Sequence, residues 1–377
     1  MDQTIPLETL AKRLAQTDEL LLDVVKRRMD LAVQVVERKI AEAKLAGQEV
    51  LIRPEVETKR IAAAVRWARQ NGLSRHCAAA FEHLVINESC HVQLIYKESQ
   101  NRAESPETDG EEYEVQKRNL RSLTEHWAGS YDRNYDKGHF GTREYKRFEL
   151  QLLGREISNL PHREVLVDLG CATGKVALAF CDRFTSTIGY DISAHMIERA
   201  RMKAEDKAIF RRVDIEKGLD LSDNTASLVV MNLGTASDVR DIEGVIKEIL
   251  RVLKPGGKFF LSFYNREAPI YRWEFIPWSA GLTATFNIYH HCLEVYDPKD
   301  KQKKMPIYAK LHTVDEVRAL VSVAHNVETI TYPAMSMILP GVLFKGQRDA
   351  QKTIASIDRS LINSNLGAYI IATGEKK

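Results

Sequence analysis

Two carboxylates and two glycines at set distances are the first residues able to do chemistry. In VLVDLGCATGK, Asp168 is followed by Gly170 and Gly174, and a second acid, Asp191, closes GYD further on. Glycines at a strand-to-helix turn let backbone approach a ligand closely, and a carboxylate about twenty residues downstream can accept hydrogen bonds from two ribose hydroxyls. Together they describe a nucleoside site, although Ala172 stands where the usual run has its central glycine. A P-loop lysine signature is absent, so no phosphate is expected there. The plainer alternative is that the glycines only tighten the turn and Asp191 caps the helix starting near Ser193.

A second group lies near the N-terminus. Arg28 and Lys39 are eleven residues apart, near three helical turns, and Ser89 and Gln93 are one turn apart. Two cations, a hydroxyl and an amide converging inside a helical bundle would hold a small carboxylated ligand. The alternative is that Arg28, which shares a seven-residue repeat with Leu14, Leu21 and Val35, pairs with an internal acid such as Glu57 or Glu88. A third group lies in the aromatic stretch after KFFLSFY, where Tyr264, Asn265, Arg272, His290 and His291 could face an acceptor molecule. The neighbours His290, His291 and Cys292 make no metal site, because adjacent residues rarely converge on one ion.

Residues 1–98 contain almost no glycine and read as three helices. They run from about Leu7 to Ala46, Glu55 to Gln70, and Ser74 to Lys97, with breaks at Gly47 and Asn71-Gly72. A helix of forty residues is about 60 Å long, too long to fold alone, so a homodimer through this region is expected. Residues 99–118 lose apolar periodicity and read as a linker. Residues 119–377 open with an aromatic helical approach and continue as EVLVDLG, TSTIGYD, SLVVMNL and KFFLSFY, buried strands alternating with helices such as Ala194–Ala204 and Asp241–Val252. The fold class is therefore α plus α/β: a helical domain, then a doubly wound, mostly parallel sheet with an insertion over about 265–312 that ends in a hairpin around Pro298.

Composition narrows the function classes. With 377 residues, 44% hydrophobic, 28% charged and a net charge of +2, the chain is of ordinary globular type, without the basic field that nucleic acid would need. No apolar run reaches the ~18 residues of a membrane span, and five cysteines without a CxxC pair suit a reducing compartment, so a cytoplasmic protein is expected.

VDLGCATG, GYDIS, RRVDIEKGLDL, SLVVMNLG and EILRVLKPGGKFFLSF, in this order, resemble the successive motifs of class I S-adenosylmethionine-dependent methyltransferases. The resemblance implies that cofactor, with Asp168, Gly170, Cys171 and Gly174 at its methionine end and Asp191 on the ribose with Ile192 beside the adenine. It further implies Asp214 toward the adenine amino group next to Ile215, Asn232 and Leu233 where cofactor and acceptor meet, and Tyr131 and Tyr135 in a lid. NLGT replaces the Asn/Asp-Pro-Pro-aromatic run of amino-directed nucleic-acid enzymes, which points to a small-molecule acceptor. Residues from Leu7 to Gln93, including DELLLDVVKRRMDLAVQVVERK and INESCHVQ, resemble the AroQ-type chorismate mutase domain. That implies a pocket of Arg28, Lys39, Glu57, Ser89 and Gln93 for chorismate, prephenate or a related carboxylate. The arginine a partner chain would donate falls on Ala11, the second-helix arginine on Val56, and a nearby acid on Arg53, so a degenerate mutase is expected. Two rivals stand beside this reading: a bifunctional enzyme whose mutase supplies prephenate to the second domain, and a non-catalytic metabolite sensor.

Overall fold

The computed structural model describes residues 6–46, 54–75, 77–78, 81–82, 85–86, 88–89, 92–93, 96, 110–133, 139–272, 285–287, 291–296, 304–339 and 346–377. The chain divides into two compact units, Met1–Glu107 and Thr108–Lys377.

In the first unit, α1 (Leu7–Ala46) runs forty residues uninterrupted by glycine or proline. Helix α2 (Pro54–Gln70) opens on proline, whose missing N–H is harmless in a first turn. Gly72, at φ 72°, breaks it. Ser74 then accepts from the Cys77 amide at 3.5 Å, and the described residues between 75 and 96 are helical. Ala32, Val36, Ala68, Val85 and Ile86 form the buried face. Arg28 therefore belongs to the inward 28-32-36 spacing. Leu14, Leu21 and Val35, its partners in the seven-residue repeat, are instead 66, 47 and 48% exposed. The physical reason is that α1 carries apolar residues on two faces, and the chain's own helices cover one.

In the second unit, α3 (Gly110–Trp127) begins inside the stretch read as a linker, which corrects that boundary. Glu111 and Glu112 in its first turn suit the positive end of the helix, and they hid the helical spacing of Tyr113, Gln116, Leu120 and Leu123. Helix α4 (Phe140–Ser158) follows. Then come β1 (Val165–Leu169), α5 (Lys175–Phe180), β2 (Ser186–Asp191), α6 (Ala194–Ala204), β3 (Ile209–Arg212), β4 (Ala226–Met231), α7 (Ile242–Val252) and β5 (Leu253–Asn265). Strand β4 is buried at every position, which requires cover on both faces of the sheet. The cover comes from α7 with its Ile242, Val245, Ile246 and Ile249 on one side and α4 with Tyr145, Leu153 and Ile157 on the other.

The insertion forms a small antiparallel sheet of β6 (Thr285–Asn287), β7 (Cys292–Tyr296) and β8 (Lys304–Tyr308), and Pro298, where a hairpin was expected, lies outside the described residues. Leu123 of α3 packs on Val295, Met305 and Ile307 of this sheet. After β9 (Leu311–His312) and α8 (Val314–Val321), β10 (His325–Tyr332), α9 (Arg348–Ser360) and β11 (Tyr369–Glu375) complete the fold. The main sheet has the order β10-β11-β5-β4-β1-β2-β3, with β9 beside β5. Strands β1 to β5 are parallel, and β11 enters antiparallel to β5. Strand order reverses between β1 and β4, which opens a crevice at their carboxyl ends. No helix among the described residues is long and apolar enough to cross a membrane.

Candidate functional site

That crevice is a cleft in two halves. One half is lined by Asp191, Ile192, Asp214, Ile215 and Lys117, and the other by Cys171, Asn232, Leu233, Glu149 and Tyr264. Tyr131 lines both, as do Gly170 and Ala172. Gly170 has φ 70°, and a Cβ there would run into the Thr235 side chain. Ala172 also holds a left-handed backbone, φ 46°, where glycine would be unstrained.

The carboxylates are held in different ways. Asp191 accepts from the Ala172 amide at 2.9 Å and the Ser193 amide at 2.8 Å, so it ties β2 to the glycine loop. The cap of α6 is the Ser193 side chain, not Asp191. Asp168 does not line the cleft. It is fully buried behind the loop, where one oxygen accepts from Ala177 N at 3.1 Å and the other has no hydrogen-bond partner among the described residues. Burial pushes its pKa up to about 7. Gly174 is also a packing residue, because a Cβ there would meet the Phe210 ring.

Asp214 is not free to face a ligand with both oxygens. Lys117 Nζ lies 2.7 Å from Asp214 Oδ2 and 2.5 Å from Glu216 Oε2. Glu216 also accepts from Tyr113 and from the amides of Arg240 and Asp241. Burial disfavours the lysine's charge, but the two carboxylates outweigh it and raise its pKa. Nearer the glycine loop, Asp132 accepts from Thr173 at 2.7 Å and from Lys203 at 2.9 Å, which pins the segment beside Tyr131. Tyr135 lies outside the described residues.

On the acceptor side, Asn232 and Leu233 form the turn after β4. The Leu233 amide donates to Glu149 Oε1 at 2.9 Å, and Tyr145 donates to the same oxygen at 2.8 Å. Burial raises the Glu149 pKa to about 7. Tyr264 lines the cleft, but Asn265 does not. Its amide nitrogen donates to the carbonyls of Asn365 and Gly367 at 2.8 and 2.6 Å and its oxygen accepts from Glu267 N, so it is structural. His291 sits in the turn before β7, with its carbonyl bonded to Ala309 N, and is not among the lining residues. His290 and the side chain of Arg272 lie outside the described residues. Among the described residues no group of ligating side chains could hold a metal.

Sequence reasoning missed Lys117, Glu149 and Asp238. Lys117 was hidden in the apparent linker. Glu149 had a signal in its favour, being the lone acid in the apolar run FELQLL. Asp238, in the single turn Thr235–Asp238, had none beyond its nearness to NLGT.

In the first unit, Arg28 donates to Ser89 Oγ and lies 3.5 Å from the Val85 carbonyl, while Lys39 Nζ is 3.5 Å from Gln93 Oε1. The polar groups therefore stand in two pairs, Arg28 with Ser89 and Lys39 with Gln93. An acid that sequence reasoning did not name, Glu82, lies 3.9 Å from Arg28 and 3.1 Å from Arg60. Glu57 is in α2, but its side chain lies outside the described residues, as do the side chain of Val56 and all of Arg53. Ala11 is exposed on α1.

Comparison with known proteins finds a match in each of the two units. A methyltransferase domain model matches residues 167–261, from β1 into β5, and a chorismate mutase type II model matches residues 10–94. The chain is similar to the ubiquinone/menaquinone biosynthesis C-methyltransferase UbiE of Hydrogenovibrio crunogenus, 31% identical over 37% of this chain and 56% of that one. It is also similar to the carboxy-S-adenosyl-L-methionine synthase of Alteromonas mediterranea, 34% identical over 28% of this chain and 46% of that one. The chain thus spans about half the length of these curated relatives. Among solved structures, the DhpI–SAH complex covers 70% of this chain and 98% of that one at 12% identity, with a TM-score of 0.46. The cleft suits a methyl donor built on a nucleoside: Asp191 lies in one half, backbone comes close at Gly170, and the second half leaves room beside Asn232 and Tyr264. The chain carries two family domains, a chorismate mutase type II domain over residues 10–94 and a methyltransferase domain over residues 167–261.

Proposed function

We propose that the second unit is an S-adenosylmethionine-dependent methyltransferase acting on a small-molecule acceptor. The observation that carries this reading is the two-part cleft joined at Gly170 and Ala172, with Asp191 and Asp214 in one half and Asn232, Leu233 and Tyr264 in the other. The cofactor supplies an electrophilic methyl group on a sulfonium. Asp191 would hold the ribose hydroxyls, with Ile192 and Ile215 against the adenine. The turn at Asn232 and Leu233, fixed by Glu149 and Ser262, would set where the acceptor meets the cofactor. Alignment and exclusion of water are the main tasks of such a site, because methyl transfer is a single displacement.

The first unit we read as a degenerate chorismate mutase domain that makes the protein a cytoplasmic homodimer and binds a carboxylate. Exposed Leu14, Leu21 and Val35 support the dimer, since one chain leaves that stripe uncovered. Glu82 beside Arg28 supports degeneracy, because it competes for the cation that a substrate carboxylate would need. The second reading is a bifunctional enzyme in which the mutase feeds prephenate, or a product of it, to the second domain. Retention of the Arg28–Ser89 and Lys39–Gln93 pairs favours it, and similarity to a carboxy-S-adenosyl-L-methionine synthase makes it chemically sensible. The test is loss of chorismate absorbance with purified protein, with Arg28→Ala as control. We expect no consumption by either protein. Consumption by wild type that Arg28→Ala abolishes would establish the bifunctional reading instead.

A further inference from the structure

Asp238 differs from every other carboxylate of the cleft. Asp191 and Glu149 each accept two hydrogen bonds, and Asp214 and Glu216 share Lys117. The Asp238 carboxylate makes no hydrogen bond and no ion pair among the described residues, although it lies at the junction that both halves of the cleft share. Asp238 is half-buried in the cleft wall, and a carboxylate drawn partly out of water without a partner is costly and ordinarily neutralised or paired. Here burial pushes the Asp238 pKa well up. Its carboxylate also acts on two phenols of the insertion: Tyr271 is raised first by burial and then by Asp238, and Tyr308 is raised to about 12 by burial, with Glu216 and then Asp238 adding to it against Arg240. The charged groups around it are accounted for elsewhere. Arg240 stacks over the Tyr113 ring, and Lys117 is held by two acids. Lys146 and Lys175 line only the far half.

A nucleoside in one half and an amino-acid tail in the other would meet at this junction. We propose that Asp238 faces the positively charged sulfur of the bound methyl donor, so that the cleft distinguishes the sulfonium from the neutral thioether left after transfer. This inference rests on the S-adenosylmethionine reading above. A positive centre against the carboxylate supplies the partner that the protein does not, and it draws the proton off. Loss of the charge on transfer removes that partner, which weakens the hold on the product. The same carboxylate, with Glu149 across the acceptor half, disfavours an acceptor that arrives as an anion and suits one whose nucleophile is a neutral hydroxyl or amine.

The test is calorimetric binding of S-adenosylmethionine and of S-adenosylhomocysteine to the full-length chain. Wild type is expected to bind the sulfonium about tenfold more tightly than the thioether. In Asp238→Asn the sulfonium should lose tenfold or more, while the thioether changes by less than threefold, so the preference collapses. Asp238→Glu should restore part of it. Equal weakening of both ligands, or an unchanged preference, overturns the inference. Binding of neither ligand by wild type overturns the cofactor reading itself. If Asp238→Asn fails to fold, Asp238→Glu is compared with Asp238→Ser, and equal preferences in that pair overturn the inference.

Discussion

Replacing Lys117 by methionine tests whether α3 is tied over the cleft by charge. Methionine keeps most of the apolar stem and removes the ammonium, leaving Asp214 and Glu216 facing each other without their shared cation. Removing one partner of a buried pair costs about 3 to 5 kcal/mol. The side chains of Lys117, Asp214 and Glu216 retain 11, 16 and 12% exposure. Water therefore screens part of the repulsion, and we expect a loss of about 2 to 3 kcal/mol at pH 7. Because the two acids raise the Lys117 pKa above its ordinary 10.5, the ammonium's contribution is fully present through neutral pH and is lost as pH rises from 10.5 through that raised value. The assay is urea unfolding of wild type and Lys117→Met, read as a shift in midpoint at constant slope. Binding of S-adenosylmethionine should weaken about tenfold in parallel, equivalent to about 1.4 kcal/mol, as the adenine side of the cleft loosens. A loss below about 0.5 kcal/mol would refute the reasoning, since surface pairs contribute that little. It would mean that Leu120 and Leu123 packed on the small sheet hold α3 without help.

Two further outcomes follow from the same structure. Glu149 has a pKa of about 7 in the fold against an ordinary 4.5, so the folded state binds its proton more tightly and this group's effect on stability falls as pH rises from 4.5 to 7. Glu149→Gln should remove that dependence and raise stability at pH 8 by up to about 3 kcal/mol relative to wild type, with little change at pH 4.5; unfolding curves with identical pH dependence in the two proteins would contradict it. Leu21→Asp places a charge on the exposed stripe of α1 and should convert the proposed dimer to a monomer in sedimentation velocity without loss of helix, whereas a wild type already monomeric, or an unchanged dimer mass in the variant, would contradict the proposed role of that stripe.

Much of this protein is legible along the chain because its signals are local. The run from Val165 to Leu169, the glycine loop and the acid closing β2 occupy one strand-turn-helix-strand passage, so their spacing alone places them together. Forty residues without a breaker specify α1, and the i, i+11 and i, i+4 offsets place Arg28 with Lys39 and Ser89 with Gln93 on shared faces. Boundaries were less legible where composition misled. Glu111 and Glu112 look like linker residues, yet at the start of a helix they complement its dipole.

Spacing along the chain carries the order of the two domains, the parallel alternation of the second, and the loop and strand-end residues Gly170, Ala172 and Asp191 that line the cleft. Which charges face one another across long separations is set by the packing of elements distant in the chain. Lys117 meets Asp214 and Glu216 from about a hundred residues away, Glu149 reaches the Leu233 amide from α4, and Asp238 is left without a partner among the described residues at the junction of the cleft. Such pairings depend on how elements stack across a sheet, and no periodicity within an element records that. The same holds for Asn265 and Gly174, which look like site residues in the sequence and prove to be packing residues once their neighbours Gly367 and Phe210 are in place.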